Sequence, residues 1–425
     1  MNTVILGLLY GDEGKGKIVD YQADKHDIIV RFQGGPNAGH TIYRNNKKIV
    51  LHQIPSGILS GKPVVIGNGC IVDIFKLIQE IDMLIESGYT DVLNLLHISH
   101  CAHVITQKHI DKDVKKENSG KGNGSTKCGI GPCYSDKYAR EGIRIYQFLE
   151  KHTDFSYEVA ITSQLNTLSN EQEQRYNNIY NNLKKCVCDT TNYLQKSIDQ
   201  GKNILFEGAQ GVFLSIDNFM YPNVSSSNVD IGGVISGTGV NHKQINNVLG
   251  IVKSYMSRVG DGPFVTQISG EDEKKLRDVG QEYGATTGRP RKVGWLDLPM
   301  IKYACKVVGV DQLAITRIDT LIDAFGDKET IPVCVDYSDK SGMIWGEFPT
   351  FEHQYLTDNV HPMYIDVPMF NYEDVEQFIN NDVAEKAQNN SNNFTNFIHT
   401  IERYTQTPIK MISFGKNKED VYCLK

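Results

Sequence analysis

The chain has 425 residues, 40% of them hydrophobic, and a formal net charge of −7. That length and apolar content support a substantial core. The acidic balance, with no basic tract or stripe, excludes nucleic acid and anionic membrane as principal partners. There is no apolar span of about 18 residues, and Met1-Asn2-Thr3 runs directly into an apolar segment without a basic leader, so a cytoplasmic protein with no membrane partner is expected.

Val4-Ile5-Leu6-Gly7-Leu8-Leu9-Tyr10 reads as a buried strand, Gly11-Asp12-Glu13-Gly14-Lys15-Gly16-Lys17 as a tight loop, and Ile18–Ala23 as the start of a helix. Such loops cradle phosphate, because glycines let the backbone approach an anion, helix-start N–H groups point at it and lysine adds charge. Gly11, Gly16 and Lys17 fit the P-loop pattern, but Ile18 stands where a Mg²⁺-binding hydroxyl is usual, and Asp12 and Glu13 are unusual in an anion site. A plain strand–helix turn is the alternative.

Asp27–Phe32 reads as a second strand, ending in a second glycine-rich loop, Gly34-Gly35-Pro36-Asn37-Ala38-Gly39-His40-Thr41. Two such loops at strand ends point to a crevice at the carboxyl edge of a parallel sheet. Lys48–Leu51 and Pro63–Ile66 are further strands. Asp73 is placed to cap a helix over Ile74–Ser87, whose Ile74, Leu77, Ile78, Ile81, Leu84 and Ile85 recur with helical period. His97, His100, Cys101 and His103 invite a metal reading, but with Leu93–Leu96 and Val104-Ile105 as flanking strand the spacing supplies no ligand set. The nine cysteines include one close pair, Cys186 and Cys188, which is no zinc framework, and reduced thiols are expected.

Lys108–Lys121 reads as an exposed charged loop leading to a third glycine-rich segment, 122–132. Residues 145–200 read as helices. Asn203–Phe206 is a strand ending in Glu207-Gly208-Ala209-Gln210-Gly211. Asn247–Val252 and Gln312–Thr316 are strands, and the basic loop 285–292 suits an anion. Leu313–Thr316 followed by Arg317-Ile318-Asp319 is similar to the guanine-reading segment of GTP-binding proteins. Residues 324–395 are polar and low in signal. The glycine loops spread from residue 11 to residue 291, which predicts one large α/β domain over residues 1–425. It would be P-loop-NTPase-like, with a central mostly parallel sheet, a helical insertion about 145–200 and a variable region about 324–395.

Seven ordered motifs carry a resemblance: GDEGKGK (11–17), GGPNAGHT (34–41), GNG (67–69), IGPCY (130–134), FEGAQG (206–211), RVGDGPF (258–264) and GATTGRPR (284–291), with an echo at Ile412–Gly415. On these the chain resembles the adenylosuccinate synthetases. The resemblance implies a GTP-dependent ligase of purine biosynthesis in which GTP phosphorylates the 6-oxygen of IMP and L-aspartate displaces that phosphate. It implies Asp12 as the base at N1 and His40 as the acid, with Lys15 and Gln210 also in catalysis. One Mg²⁺ per subunit would be held by Asp12 and the carbonyl of Gly39. Asn37, Thr126, Arg140, Gln210, Ser225, Val259, Thr286, Thr287 and Arg289 match IMP- or aspartate-binding positions, Arg140 reaching across a homodimer. Gly14, Lys15, Gly16, Lys17, Gly39, Thr41, Arg291, Arg317, Asp319, Ser413 and Gly415 match GTP-binding positions.

The chain departs from the usual family pattern at Leu9-Tyr10, Lys127-Cys128, Ser225, Asp261, Arg317 and Lys416–Lys418. None of these removes a catalytic group. Two other readings are a relative acting on dGMP, a group in which serine often replaces the base aspartate, and a nucleotide-binding regulator without catalysis. Retention of Asp12 and His40 favours the IMP ligase.

Overall fold

The computed structural model describes every residue except 45–46, 121, 123, 153–167, 219, 285–287, 350–355, 357 and 384–391. The chain divides into two compact units, each assembled from three stretches. One comprises Met1–Ile5, Val19–Ala209 and Ser225–Asn246, the other Leu6–Ile18, Gln210–Val224 and Asn247–Lys425.

The first unit takes the start of β1 (Thr3–Gly7), then β2 (Ile28–Gly34), β3 (His40–Arg44), β4 (Lys47–Leu51), β5 (Val64–Val72), β6 (Leu96–Ser99), β7 (His103–Val104), β8 (Val187–Cys188) and most of β9 (Ile204–Gly211). Strands β9, β2, β5, β6 and β8 pair in that order and all in parallel, with β7 alongside β5. β3 and β4 form a separate antiparallel hairpin. β2 is buried along its whole length, as the near-continuous apolar run Ile28–Val30 requires of a strand covered on both faces. Asp73 caps helix Ile74–Glu86 by accepting from Lys76 N at 3.0 Å, and the apolar stripe of that helix is buried as its period predicts.

The insertion at 145–200 contains helices Ile145–Lys151, Asn170–Cys186 and Thr190–Asp199. The segment read as a charged loop is instead helix Gln107–Asn118. Its inner face carries His109 and Asp113 rather than an apolar stripe, so hydrophobic period could not reveal it. Of residues 93–96, read as strand, 93–95 belong to a short helix, Val92–Leu95, and Leu96 opens β6. His97 stacks on Tyr193 with ring centroids 4.4 Å apart, and the His100 ring meets the carbonyl of Cys188.

In the second unit β10 (Asn247–Lys253), β13 (Gln312–Thr316) and β16 (Ile409–Ser413) run in parallel, with β17 (Val421–Cys423) antiparallel at the edge. Two antiparallel pairs stand apart: β11 (Met256–Arg258) with β12 (Lys292–Gly294), and β14 (Thr330–Ser338) with β15 (His361–Pro368). The polar stretch 324–395 therefore holds a long hairpin and helix Tyr372–Val383. Both units are α/β, and the main sheet of each pairs mostly in parallel, as expected. Among the described residues no helix is long and apolar enough to cross a membrane.

Candidate active site

The phosphate loop follows β1, all five residues of which are buried. Gly11 and Gly14 take left-handed φ values of 102° and 81°. A β-carbon on Gly11 would lie 3.0 Å from Gln210 Cα, so the loop and Gln210 pack backbone to backbone. Glu13 turns inward with 2% exposure. Its Oε1 accepts from Leu9 N at 3.0 Å and Gly11 N at 2.8 Å, and its Oε2 takes Lys15 Nζ at 2.8 Å. Lys15 also donates to the carbonyl of Gly11 at 3.1 Å. The loop thus carries its own anion, which satisfies its inward N–H groups and balances Lys15.

Asp12, the next residue back, faces a buried cluster from β10, β11 and the segment before β12. Ser257 Oγ donates to Asp12 Oδ2 at 3.2 Å, and Arg291 Nε lies 3.3 Å from the same oxygen. Arg291 Nη1 meets Glu282 Oε2 at 2.6 Å; Lys253 meets Glu282 Oε1 at 2.7 Å and Ser257 Oγ at 2.5 Å; Tyr255 also donates to Glu282. Burial raises the Asp12 carboxyl above the ordinary range, against the pull of Arg291 and Lys253. Burial pushes Glu282 up as well, but Lys253 and Arg291 more than offset it and hold Glu282 ionised. The result is a fixed carboxylate with raised basicity, oriented by a hydroxyl and a guanidinium. Both contacts fall on Oδ2, which leaves Oδ1 for a hard cation such as Mg²⁺.

β13 and β16 are parallel neighbours, with Ile315 opposite Ile412, so Thr316 and Ser413 stand at adjacent carboxyl ends. Thr316 Oγ1 donates to Glu13 O at 2.6 Å and so ties β13 to the phosphate loop. Arg317 is left-handed (φ 61°), its carbonyl held by Ser254 Oγ at 2.8 Å, and it starts helix Ile318–Phe325. In the first turn of that helix Asp319 Oδ1 is buried and has no partner among the described residues. Lys17 points its ammonium at three carbonyls beyond β16, and burial lowers it to about 8. Gln210 is left-handed (φ 58°) and its Oε1 is likewise buried without a partner among the described residues.

Val259 lies on a loop shaped by Arg258. That guanidinium is fully buried, stands 4.5 Å over the Tyr10 ring and donates to Asp261 O at 2.7 Å and Pro263 O at 2.8 Å. The unusual Asp261 therefore serves the loop through its carbonyl, and its side chain is exposed. Arg289 is exposed, and Thr286 and Thr287 lie outside the described residues.

In the first unit His40 opens β3 and is 7% exposed. Its Nδ1 is hydrogen-bonded to Glu207 Oε1. Glu207 also accepts from Ser56 N and Ser56 Oγ, each at 2.8 Å. Burial raises the Glu207 carboxyl, but His40 outweighs it, and the group stays below the ordinary carboxylate range. A fixed negative partner on Nδ1 sets the ring orientation. Asn37 Oδ1 is buried without a partner among the described residues. Gln33 Nε2 donates to Ala209 O at 2.6 Å, Ser227 Oγ donates to Gln33 Oε1 at 3.5 Å, and Ser225 pairs with Ser227 at 3.3 Å. Thr126 sits on a loop held by Asp113, which accepts from Ser125 Oγ at 2.7 Å and Gly129 N at 2.9 Å. Arg140 is exposed in a left-handed conformation at the end of helix Ile130–Ala139. Thr41 and Gly39 flank His40 and are partly buried.

The motif reading did not single out Glu13, Glu207, Lys253, Ser257 or Glu282 for a role. Glu207 stood in a quoted motif, but its task depends on a histidine far away in the chain.

The family model for adenylosuccinate synthetase matches residues 4–422. The chain belongs to that family. An adenylosuccinate synthetase of Trichlorobacter lovleyi is 38% identical, covering 100% of this chain and 98% of the relative, and that of Thermodesulfovibrio yellowstonii is 41% identical over 99% and 98%. The solved structure of the fully ligated adenylosuccinate synthetase from Plasmodium falciparum superposes with a TM-score of 0.84 at 35% identity, covering both chains completely. A cyanophage S-2L succinoaminodeoxyadenylate synthetase, bound to dGMP and dATP, shares the fold with a TM-score of 0.64 at 19% identity over 99% and 95%. Family membership makes the protein a ligase.

Proposed function

We propose that the protein joins IMP and L-aspartate at the expense of GTP, giving adenylosuccinate, GDP and phosphate. The setting of Asp12 carries the reading: a carboxylate inside a phosphate loop, raised in basicity by burial and oriented by Ser257 and Arg291. Asp12 takes the N1 proton of IMP, so that O6 becomes nucleophilic toward the γ-phosphoryl group of GTP. His40, backed by Glu207, donates to the charge that builds during transfer and again as the 6-phosphoryl group leaves. Aspartate nitrogen then bonds to C6 and inorganic phosphate departs.

The unpartnered buried oxygens support the ligand assignments. Asn37 Oδ1 and Gln210 Oε1 suit IMP, and Asp319 Oδ1 suits the N1–H and N2–H₂ edge of guanine. Thr126, Ser225, Val259, Thr286, Thr287 and Arg289 complete the substrate contacts. Gly14, Lys15, Gly16, Thr41, Arg291, Arg317, Ser413 and Gly415 complete those of GTP. Asp12, with its open Oδ1, and the Gly39 carbonyl would hold Mg²⁺, whose chemistry is to neutralise phosphate charge. Residues 1–425 are taken as one catalytic domain. Exposed Arg140 serves the IMP of a second copy in a cytoplasmic homodimer.

The test is turnover with IMP and with dGMP, each with aspartate and GTP. Adenylosuccinate formation from IMP is expected. Exclusive use of dGMP would refute the assignment, and absence of turnover with either would favour a regulator.

A further inference from the structure

Lys17 occupies the P-loop position of a phosphate-binding lysine, yet its ammonium is committed elsewhere. Nζ lies 2.7 Å from Phe414 O, 3.1 Å from Asp420 O and 3.3 Å from Gly415 O. An ammonium has three N–H donors, so three carbonyls exhaust it. Those carbonyls belong to one turn, residues 414–420, between β16 and β17. The turn closes on itself: Phe414 N donates to Asp420 O at 3.0 Å, Asn417 N to Asp420 Oδ2 at 2.7 Å, and Asp420 N to Asn417 O at 3.2 Å. Gly415 is left-handed (φ 67°), and a β-carbon there would stand 2.3 Å from the Asp420 carboxylate. These bonds give the turn its shape but do not fix it to the phosphate loop. Lys17, in the first turn of helix Lys15–Ala23, supplies that attachment.

We infer that Lys17 is a positioning residue for base recognition: it pins the turn that bears Gly415 and follows Ser413, at the strand end adjacent to the one leading to Asp319, to the phosphate loop and so sets the spacing between guanine reader and phosphates. The inference rests on the GTP reading above. Without the ammonium, three carbonyls that converge on one point repel one another, and the turn moves away from the loop. Base selection then fails while the phosphate cradle, built by Glu13, Lys15 and the loop amides, keeps its form.

Two partial ligands separate this role from a phosphate contact. Guanosine carries the base without phosphate, and tripolyphosphate carries phosphate without the base. Both are measured as inhibitors competitive with GTP at fixed free Mg²⁺, on the full chain and on Lys17→Met, with KM for IMP as the control for folding. The expected result is guanosine affinity lower by about tenfold or more, the cost of a lost charged hydrogen bond, a matching rise in KM for GTP, and little change for tripolyphosphate or IMP. Weakened tripolyphosphate with unchanged guanosine would make Lys17 a phosphate ligand and overturn the inference. If Lys17→Met does not fold, Lys17→Gln carries the same comparison. If the unaltered protein prefers adenosine to guanosine, the GTP reading falls and this inference with it.

Discussion

Glu13 and Lys15 form an ion pair inside the phosphate loop, 2.8 Å apart and each 2% exposed on its side chain. The pair is embedded rather than decorative, because the Glu13 carboxylate also takes two loop amides. Glu13→Ala would leave a buried ammonium without its counter-ion and two loop N–H groups without their acceptor. A loss of about 3–5 kcal/mol in unfolding free energy is expected, as for breaking one side of a buried pair. Urea denaturation checks it; a loss under about 1 kcal/mol would show the pair to be screened.

Asp12 is the proposed base, so Asp12→Asn removes proton abstraction while keeping size and the hydrogen bond from Ser257. Turnover is expected to fall by at least about 10³-fold, within the range for general base loss, with GTP still bound in equilibrium dialysis. Undiminished turnover would end the base assignment.

Glu207 touches no substrate in the proposed mechanism and acts through His40. Glu207→Gln keeps the shape and a hydrogen bond but removes the charge behind the ring. A fall in kcat of about 10–100-fold, the usual scale for an outer partner of a functional histidine, is expected with little change in KM for IMP. An equal change in KM alone would assign Glu207 a purely structural part.

Asp319 offers the guanine edge a carboxylate oxygen that has no partner among the described residues. Asp319→Asn replaces an acceptor by a donor, which suits the 2-oxo group of xanthine. GTP affinity should fall by about 10²-fold, and XTP should become a phosphoryl donor. The check is the ratio of kcat/KM for the two nucleotides, and an unchanged ratio counts against the guanine reader.

His103 gives the fold a pH dependence. Burial first, then the cations Lys137 and Arg144, lower it from 6.5 to about 4. His26 and His52 are lowered too, both by burial. A base whose folded value is depressed binds fewer protons than in the unfolded chain. Stability is therefore complete above about pH 6.5 and is lost as pH falls toward 4. His103→Gln should shrink the difference in unfolding free energy between pH 7.5 and pH 5 by on the order of 1 kcal/mol, after allowance for solvent screening. An unchanged difference would locate the acid sensitivity elsewhere.

Local patterns were legible where one residue type dictates one outcome. The apolar run before Gly11, the Asp73 cap and the stripe of Ile74–Glu86 all rest on neighbours within a few positions. Helix Gln107–Asn118 was not legible, because it buries His109 and Asp113 in place of aliphatic residues. The motif residues Asp12 and His40 could be singled out, but their partners could not. Glu207 reads as one glutamate among many until the chain folds, and Lys253 as an ordinary lysine at the end of a strand. Lys17 shows the limit most sharply, since its spelling predicts phosphate and its fate is set by carbonyls some four hundred positions later.

The grip of Arg258 on the Asp261 carbonyl has a consequence for tolerance to change. Because the backbone bears the contact and the side chain faces outward, position 261 is decoupled from the loop it helps to build. Residues there can drift in charge and size without disturbing Val259, which makes this spot, beside a proposed substrate contact, a place where the surface can be altered or tagged while the interior stays as it is.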